Sequence, residues 1–252
     1  MSILLTKNTR FIIQGITGRE AINLTRENLD YGAKIVGGVT PGRAGRDVYG
    51  VPVYDCVRDA VAANGGKIEG SIVSVPPKFT LDAIFEALEN GIELIVVVTE
   101  NVPRRQVAQA VELAELRGAR IIGPNCLGVI SPGKTRVGGV GGAANSTQRA
   151  FKPGRIGVMS RSGGMTVEIA NSLSEAGMGV STAVSIGGDA VIGSTYAELM
   201  PLFDADPDTD GIAIYSEPGG RAGWRPSSPS GSSRTTRGCR SSPSWPVASW
   251  TR

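Results

Sequence analysis

The stretch from Arg155 to Ala170, RIGVMSRSGGMTVEIA, constrains the fold of this chain more than any other. Arg155 to Met159 has the length and apolar character of a short buried strand. It ends in Ser160-Arg161-Ser162-Gly163-Gly164, a turn with a single bulky side chain. From Met165 onward, Met165, Ile169 and Leu173 fall on one face of a helix. A helix that starts this way leaves several backbone N–H groups free, and its dipole adds about half a positive charge there. The turn therefore suits a phosphate or a carboxylate. An ordinary capped helix start after a buried strand is the other reading of the same residues.

The same grammar opens the chain. Phe11-Ile12-Ile13-Gln14 reads as a strand, Gly15-Ile16-Thr17-Gly18-Arg19-Glu20 as a glycine turn, and a helix follows to about Tyr31. Ala33 to Val39 is the second strand of this βαβ unit. A Rossmann-like domain holds a phosphorylated ligand at such a turn, although G-x-x-G is weaker than the full G-x-G-x-x-G fingerprint. The second strand runs into Thr40-Pro41-Gly42-Arg43-Ala44-Gly45-Arg46, with no acid of the kind that binds the ribose hydroxyls of NAD. Two arginines on a glycine-rich loop suit the 3′-phospho-ADP of coenzyme A or the 2′-phosphate of NADP. A solvated basic loop is the alternative.

Alternation continues through helix 57–63, strand 68–75, helix 81–90 and the continuous apolar run Leu94 to Val98. Such a run is expected of a central parallel strand buried on both faces. It ends in Thr99-Glu100-Asn101, again where such sheets bind ligands. Helix 103–116 and strand Arg120-Ile121-Ile122 lead to the turn Gly123-Pro124-Asn125-Cys126-Leu127-Gly128. Residues 1–125 are thus expected to form one α/β domain of five or six strands, with 126–152, rich in glycine and small residues, as a linker. A second α/β domain starts near Pro153. Its strand 179–186 ends in Gly187-Gly188-Asp189, helix 195–203 follows, and strand 211–215 ends in Ser216-Glu217-Pro218-Gly219-Gly220. Three strand ends then gather at one edge of a parallel sheet.

Composition removes whole classes of chemistry. The 252 residues contain no histidine, which excludes a Ser-His-Asp triad, an HExxH metal site and imidazole acid–base work by this chain alone. Cys56, Cys126 and Cys239 are far apart without CxxC spacing, so neither disulfides nor zinc is expected and the metal expectation is none. No apolar run nears the ~20 residues of a membrane span, and MSILLTKNTR is too short an apolar segment for a secretory signal. A reduced, cytoplasmic protein without membrane contact is expected. The net charge of +3 includes six arginines and no acid in residues 221–252, so residues 1–220 stand at −3. That balance argues against a nucleic-acid partner. From Arg221 the grammar breaks: the last 32 residues hold all three tryptophans and no Leu, Ile, Phe, Lys, Asp or Glu. Such a mix is what GC-rich coding DNA yields out of frame, and a frameshift is the expectation; a disordered basic tail is the alternative.

Across roughly residues 1–220 the chain resembles the α subunits of the succinyl-CoA synthetase (succinate–CoA ligase) family. The resemblance rests on MSIL, QGITG, YGAKIVGGVTPGR, GVPVYD, VTE, IIGPNCLGVISPGK, PGRIGVMSRSGG, VSIGGD and EPGG, all in family order. It implies a Rossmann-like CoA-binding domain (1–125), a partial flavodoxin-like ligase domain (153–220), and an ATP-grasp β subunit as partner that supplies ATP or GTP with Mg. It also implies a small carboxylate such as succinate as substrate and a place in the tricarboxylic acid cycle. By the same resemblance Thr17, Gly18, Arg19, Glu20, Arg43, Val98, Thr99 and Glu100 contact coenzyme A, and Asn125 and Cys126 lie where its pantetheine arm approaches. Ser160, Ser162, Gly163, Gly164 and Glu217 support the phosphoryl group. The family's phosphoryl carrier is a histidine in a later G-H-A-G-like turn, which this chain does not contain, so it is expected to be inactive as written. Val167 stands where the family usually has tyrosine near the substrate, which puts succinate itself in question. A non-catalytic CoA-binding or regulatory protein and an NADP-binding oxidoreductase are the competing functions.

Overall fold

A computed structural model of the chain describes residues 3–217. The expectations for 221–252, and for the Pro218-Gly219-Gly220 end of the third turn, lie outside the described residues.

The first sheet is built by β1 (Arg10–Gln14), α1 (Arg19–Tyr31), β2 (Lys34–Val39), β3 (Asp47–Val48), β4 (Val51–Tyr54), α2 (Val57–Ala63), β5 (Gly70–Val73), α3 (Thr80–Glu89), β6 (Leu94–Val97), α4 (Arg104–Leu116) and β7 (Arg120–Ile122). Its order is β3-β4-β2-β1-β5-β6-β7, parallel except for the β3–β4 hairpin. Seven strands replace the five or six expected, because the two short strands β3 and β4 carry little apolar pattern of their own. Every residue of β5 and β6 is buried, as helices on both faces require. The chain reverses direction across the sheet at β1, with β2 on one side and β5 on the other. Ligands bind such sheets outside the carboxyl ends of the strands at this switch point.

The second sheet comprises β8 (Gly128–Ser131), β9 (Thr135–Gly138), α5 (Ala144–Ala150), β10 (Pro153–Ser160), α6 (Gly163–Glu175), β11 (Val180–Ser185), α7 (Tyr196–Asp204) and β12 (Gly211–Tyr215). Its order is β12-β10-β11-β8-β9, with β12, β10 and β11 parallel and the β8–β9 hairpin antiparallel to them. Residues 126–152, expected as a linker, thus contribute two buried strands and a helix to this sheet. Each strand is four residues long and glycine-bearing. Pairing of β8 with β11, and of β9 with β8, makes them strands rather than local periodicity.

One apolar cluster runs through both sheets, joining Phe11, Ile13, Ile72 and Val96 to Val129, Met159, Val184 and Phe203. A strap reinforces it: the fully buried Arg136 of β9 faces Glu27 of α1 at 3.5 Å and stands over the Tyr31 ring at 5.4 Å. Burial lowers the pKa of Arg136, and the charge on Glu27 opposes that. Asn28 donates to Gly138 O at 3.0 Å across the same junction. The two sheets therefore hold their strand ends in fixed relation.

Candidate functional site

At the end of β1 the chain turns through Gly15, whose φ of 83° is open to glycine and whose Cβ, if present, would lie 2.3 Å from Ser74 O. Gly18 caps α1 without a side-chain bond, so the first N–H groups of this helix, beginning at Arg19 and Glu20, face outward. Thr17 Oγ1 reaches Thr40 Oγ1 at 3.3 Å, tying this turn to the loop that leaves β2. Thr17 is half-buried, while Gly18, Arg19 and Glu20 are exposed.

That loop, residues 40–46, is fixed by its backbone. Arg43 N–H donates to Thr40 O at 3.1 Å and to Asp55 Oδ1 at 3.0 Å, and Ala44 N–H reaches the same carboxylate oxygen at 3.0 Å. Gly45 N–H and Arg46 N–H bond Val53 O and Arg43 O. Asp55 pairs with the loop's backbone and leaves both guanidinium groups uncompensated: Arg43 and Arg46 are exposed and form no ion pair among the described residues. A rigid loop offering two bare guanidinium groups fits a phosphate-rich ligand. The role of Asp55 has only a faint sequence signal, an acid closing the GVPVYD segment twelve residues after Arg43.

The remaining residues expected along coenzyme A share this edge. Val98 N–H bonds Val73 O, Thr99 Oγ1 donates to Val75 O at 2.8 Å, and Glu100 is exposed. Asn125 N–H bonds Thr99 O at 2.9 Å, and Asn125 holds a φ of 53°, rare for a residue with a side chain. Cys126 differs from its neighbours. Its thiol points inward, donating to Val97 O at 3.2 Å, and burial pushes its pKa up to about 12. A thiol held neutral in the core offers its backbone, not its sulfur, to a ligand.

At the second sheet Ser160, Ser185 and Tyr215 are paired side by side at the ends of β10, β11 and β12. Ser160 Oγ donates to Ser162 O at 2.7 Å, and Ser162 Oγ caps α6 through Met165 N–H at 3.4 Å. Gly163 N–H and Gly164 N–H find no acceptor among the described residues. A Cβ on Gly163 would sit 2.5 Å from Leu127 Cγ, whereas nothing lies within 4 Å of one on Gly164, so the turn opens to solvent there. This is the geometry of an anion site at a helix start. Glu217 follows β12 and is exposed. Tyr196, not singled out in the sequence, stands beside it: its hydroxyl donates to Tyr215 O at 2.6 Å, and burial raises its pKa against the lowering pull of Arg161. Val167 is half-buried and packs against the cluster of Ile130, Val158, Ala170 and Val180.

A cavity of about 420 Å³, lined by Thr6, Glu69, Glu93 and Arg120, opens at the opposite, amino-terminal edge of the first sheet and touches none of these residues. Among the described residues no group of three or more His, Cys, Asp or Glu could hold a metal ion. No helix there is long and apolar enough to cross a membrane.

Comparison with known proteins gives this arrangement a lineage. The family model described as a CoA binding domain matches residues 6–101, and the succinyl-CoA ligase like flavodoxin domain matches residues 153–223. Over 221 residues the chain is 42% identical to the ADP-forming succinate–CoA ligase subunit alpha 2 of Archaeoglobus fulgidus, covering 88% of this chain and 74% of the relative. It is 40% identical over 220 residues to an ADP-forming sulfoacetate–CoA ligase subunit of Bilophila wadsworthia, covering 87% and 73%. The ATP citrate lyase of Methanothrix soehngenii, solved with citrate and coenzyme A, matches with a TM-score of 0.79 at 26% identity. That match covers 87% of this chain, which spans 38% of the lyase chain. The chain belongs to the family of the α subunits of ADP-forming succinate–CoA ligases, a ligase subunit by family, with a CoA-binding domain followed by a flavodoxin-like ligase domain.

Proposed function

We propose that this chain is the CoA-holding subunit of an acid–CoA ligase that joins a small carboxylate to the CoA thiol. The observation that carries the reading is the first sheet's carboxyl edge. There the exposed Arg43 and Arg46, on a loop fixed by Asp55, stand beside the uncapped start of α1 at the switch point. The guanidinium groups hold the 3′-phosphate and diphosphate end, with Thr17, Gly18, Arg19 and Glu20 at the turn. Val98, Thr99 and Glu100 flank the ligand, and Asn125 and the Cys126 backbone meet the arm. On this reading residues 1–125 bind coenzyme A, and the second sheet offers the α6 turn, with Ser160, Ser162, Gly163, Gly164 and Glu217, to a phosphoryl group. A β subunit supplies ATP or GTP with Mg.

The family's phosphohistidine route lacks its acceptor in these 252 residues, which contain no histidine. The chain as written therefore binds CoA without turning over. A regulatory CoA-binding role is the second reading, and the missing histidine is the observation that favours it. Val167, where the family usually has tyrosine, points to a carboxylate other than succinate, and the sulfoacetate relative names one to try.

Calorimetric titration with CoA, dephospho-CoA and NADPH tests the binding half: CoA should bind, dephospho-CoA more weakly, and NADPH not at all. Mixing the chain with a cognate β subunit, labelled ATP, CoA and succinate or sulfoacetate tests the rest. Acid-labile label on this chain, or turnover above background, would overturn the inactivity.

A further inference from the structure

Arg161 is a buried cation with no counter-ion among the described residues. It is 5% exposed, and among those residues it forms no ion pair and its Nε and Nη1 have no partner. Burying a charge in this way is costly, and a fold that keeps one has an interaction to show for it. Here that interaction is a grip on one loop: Nη2 donates to Gly188 O at 2.8 Å and to Asp189 O at 2.7 Å. Both acceptors belong to the Gly187-Gly188-Asp189 turn that leaves β11.

The far side of this turn grips the first sheet. Gly188 N–H donates to Asn125 O at 2.9 Å, and Asn125 Nδ2 donates to Asp189 Oδ1 at 3.0 Å. Gly187 is pressed so close that a Cβ on it would lie 2.2 Å from Pro124 O. A little further on, Gly193 N–H bonds Gly123 O at 2.7 Å. Asn125 itself sits at a φ of 53°, a conformation that persists when the surroundings over-determine it. Those surroundings are Thr99 O on one side and the 187–189 turn on the other.

We propose that Arg161 is a positioning residue for the arm of coenzyme A. It seats the 187–189 turn, the turn seats Asn125, and the thiol end of the ligand is thereby held at a fixed place beside the α6 anion turn. The inference rests on the reading that Asn125 lies along the CoA arm. It assigns Arg161, which lies within the anion turn itself, an effect on a ligand bound by the other sheet. Its unpartnered nitrogens are buried, so it does not act as a ligand at the open end near Gly164.

The test titrates the full chain with CoA and with 3′-phosphoadenosine 5′-diphosphate, which has the adenine end and no arm. Arg161→Gln and Asp189→Ala are each expected to weaken CoA about three- to tenfold, the size of a lost net hydrogen bond or two. The arm-less nucleotide should bind both variants as it binds the parent. Asn125→Ala should weaken CoA similarly, and adding Arg161→Gln to it should cost nothing more, because both act through one contact. Equal weakening of both ligands would reveal general loosening and overturn the proposal. So would unchanged CoA affinity, additive losses in the double variant, or a loss of sulfate binding with CoA untouched, which would make Arg161 an anion ligand. Should Arg161→Gln not fold, Arg161→Lys, which keeps the charge but loses the planar fork that grips Gly188 O and Asp189 O, decides the same question, with CoA expected to weaken and the arm-less nucleotide to bind as before. A parent chain that binds neither nucleotide would remove the CoA reading and this inference together; a parent that binds both, with variants that do not discriminate, removes the inference alone.

Discussion

The loop 40–46 and the turn 160–164 offer an anion opposite halves of the same chemistry. In the loop the backbone is spoken for: the N–H groups of Arg43, Ala44, Gly45 and Arg46 all have acceptors within the protein, and the guanidinium groups are left bare. In the turn the arginine is buried and engaged with carbonyls, while Gly163 and Gly164 present N–H groups that no described residue engages. Exposed guanidinium groups act through charge that salt screens over about 8 Å at physiological ionic strength. Fixed backbone dipoles in a tight turn hold an anion with no reorganisation. The first arrangement suits a large ligand captured from solution, and the second suits a group held still for transfer.

Removing a guanidinium from the loop should produce the largest separation between the two. Arg43→Ala is expected to weaken CoA about ten- to hundredfold, the range for a lost charged hydrogen bond. It should flatten the salt dependence of CoA binding and leave sulfate binding at the α6 turn unchanged, both measurable by calorimetry. Equal loss at both places would dissolve the contrast.

A smaller effect is expected from Asp55→Ala, which frees the backbone of Arg43 and Ala44 while leaving every cation in place. CoA should weaken about three- to tenfold through loss of the two loop bonds, and dephospho-CoA, which keeps only the diphosphate, by less. Tighter CoA binding would instead mean that the carboxylate merely opposes the phosphates.

On the other side of the comparison, Ser162→Ala removes the cap of α6 and should cost about 1 kcal/mol of stability. Denaturant titration would register it, and sulfate affinity should fall while CoA affinity holds.

The least effect at neutral pH belongs to Cys126, which lies between the two regions. Its native thiol keeps its proton up to about 12, whereas an unfolded thiol releases it near ~8.5. The native state thus binds more protons between those values, so this contribution to stability is whole below about pH 8.5 and is lost as pH rises toward 12. Peptide mass spectrometry after iodoacetamide should find the half-buried Cys56 alkylated in the native chain, and Cys126 only after unfolding.

Much of the fold is legible because its signals are local. A buried strand such as Leu94–Val97 announces itself by an unbroken apolar run, and α4 by apolar spacing between Pro103 and Gly118. The β8–β9 hairpin and α5 are not legible in this way. GVIS and TRVG are short, glycine-bearing and adjacent to SPGK, and they read as loop until β11 supplies a partner for β8 and β8 one for β9. The site divides likewise. Glycine turns at strand ends mark Gly18, Arg43 and Gly164 in the sequence, but Asp55, Tyr196 and Asp189 acquire their roles from residues 12, 19 and 64 positions away.

The sequence by itself determined where the strands end and that glycine, serine and arginine gather there, since turn formation and helix starts depend on neighbouring residues. It did not determine which arginine stays open to solvent. SRSGG and GRAGR each place arginine among small residues, yet Arg161 is 5% exposed and Arg43 is open to solvent. Only the tertiary structure decided between them. The burial of a charge depends on the carbonyls and sheet edges that distant segments bring to it, and the 187–189 turn reaches Arg161 from across β11.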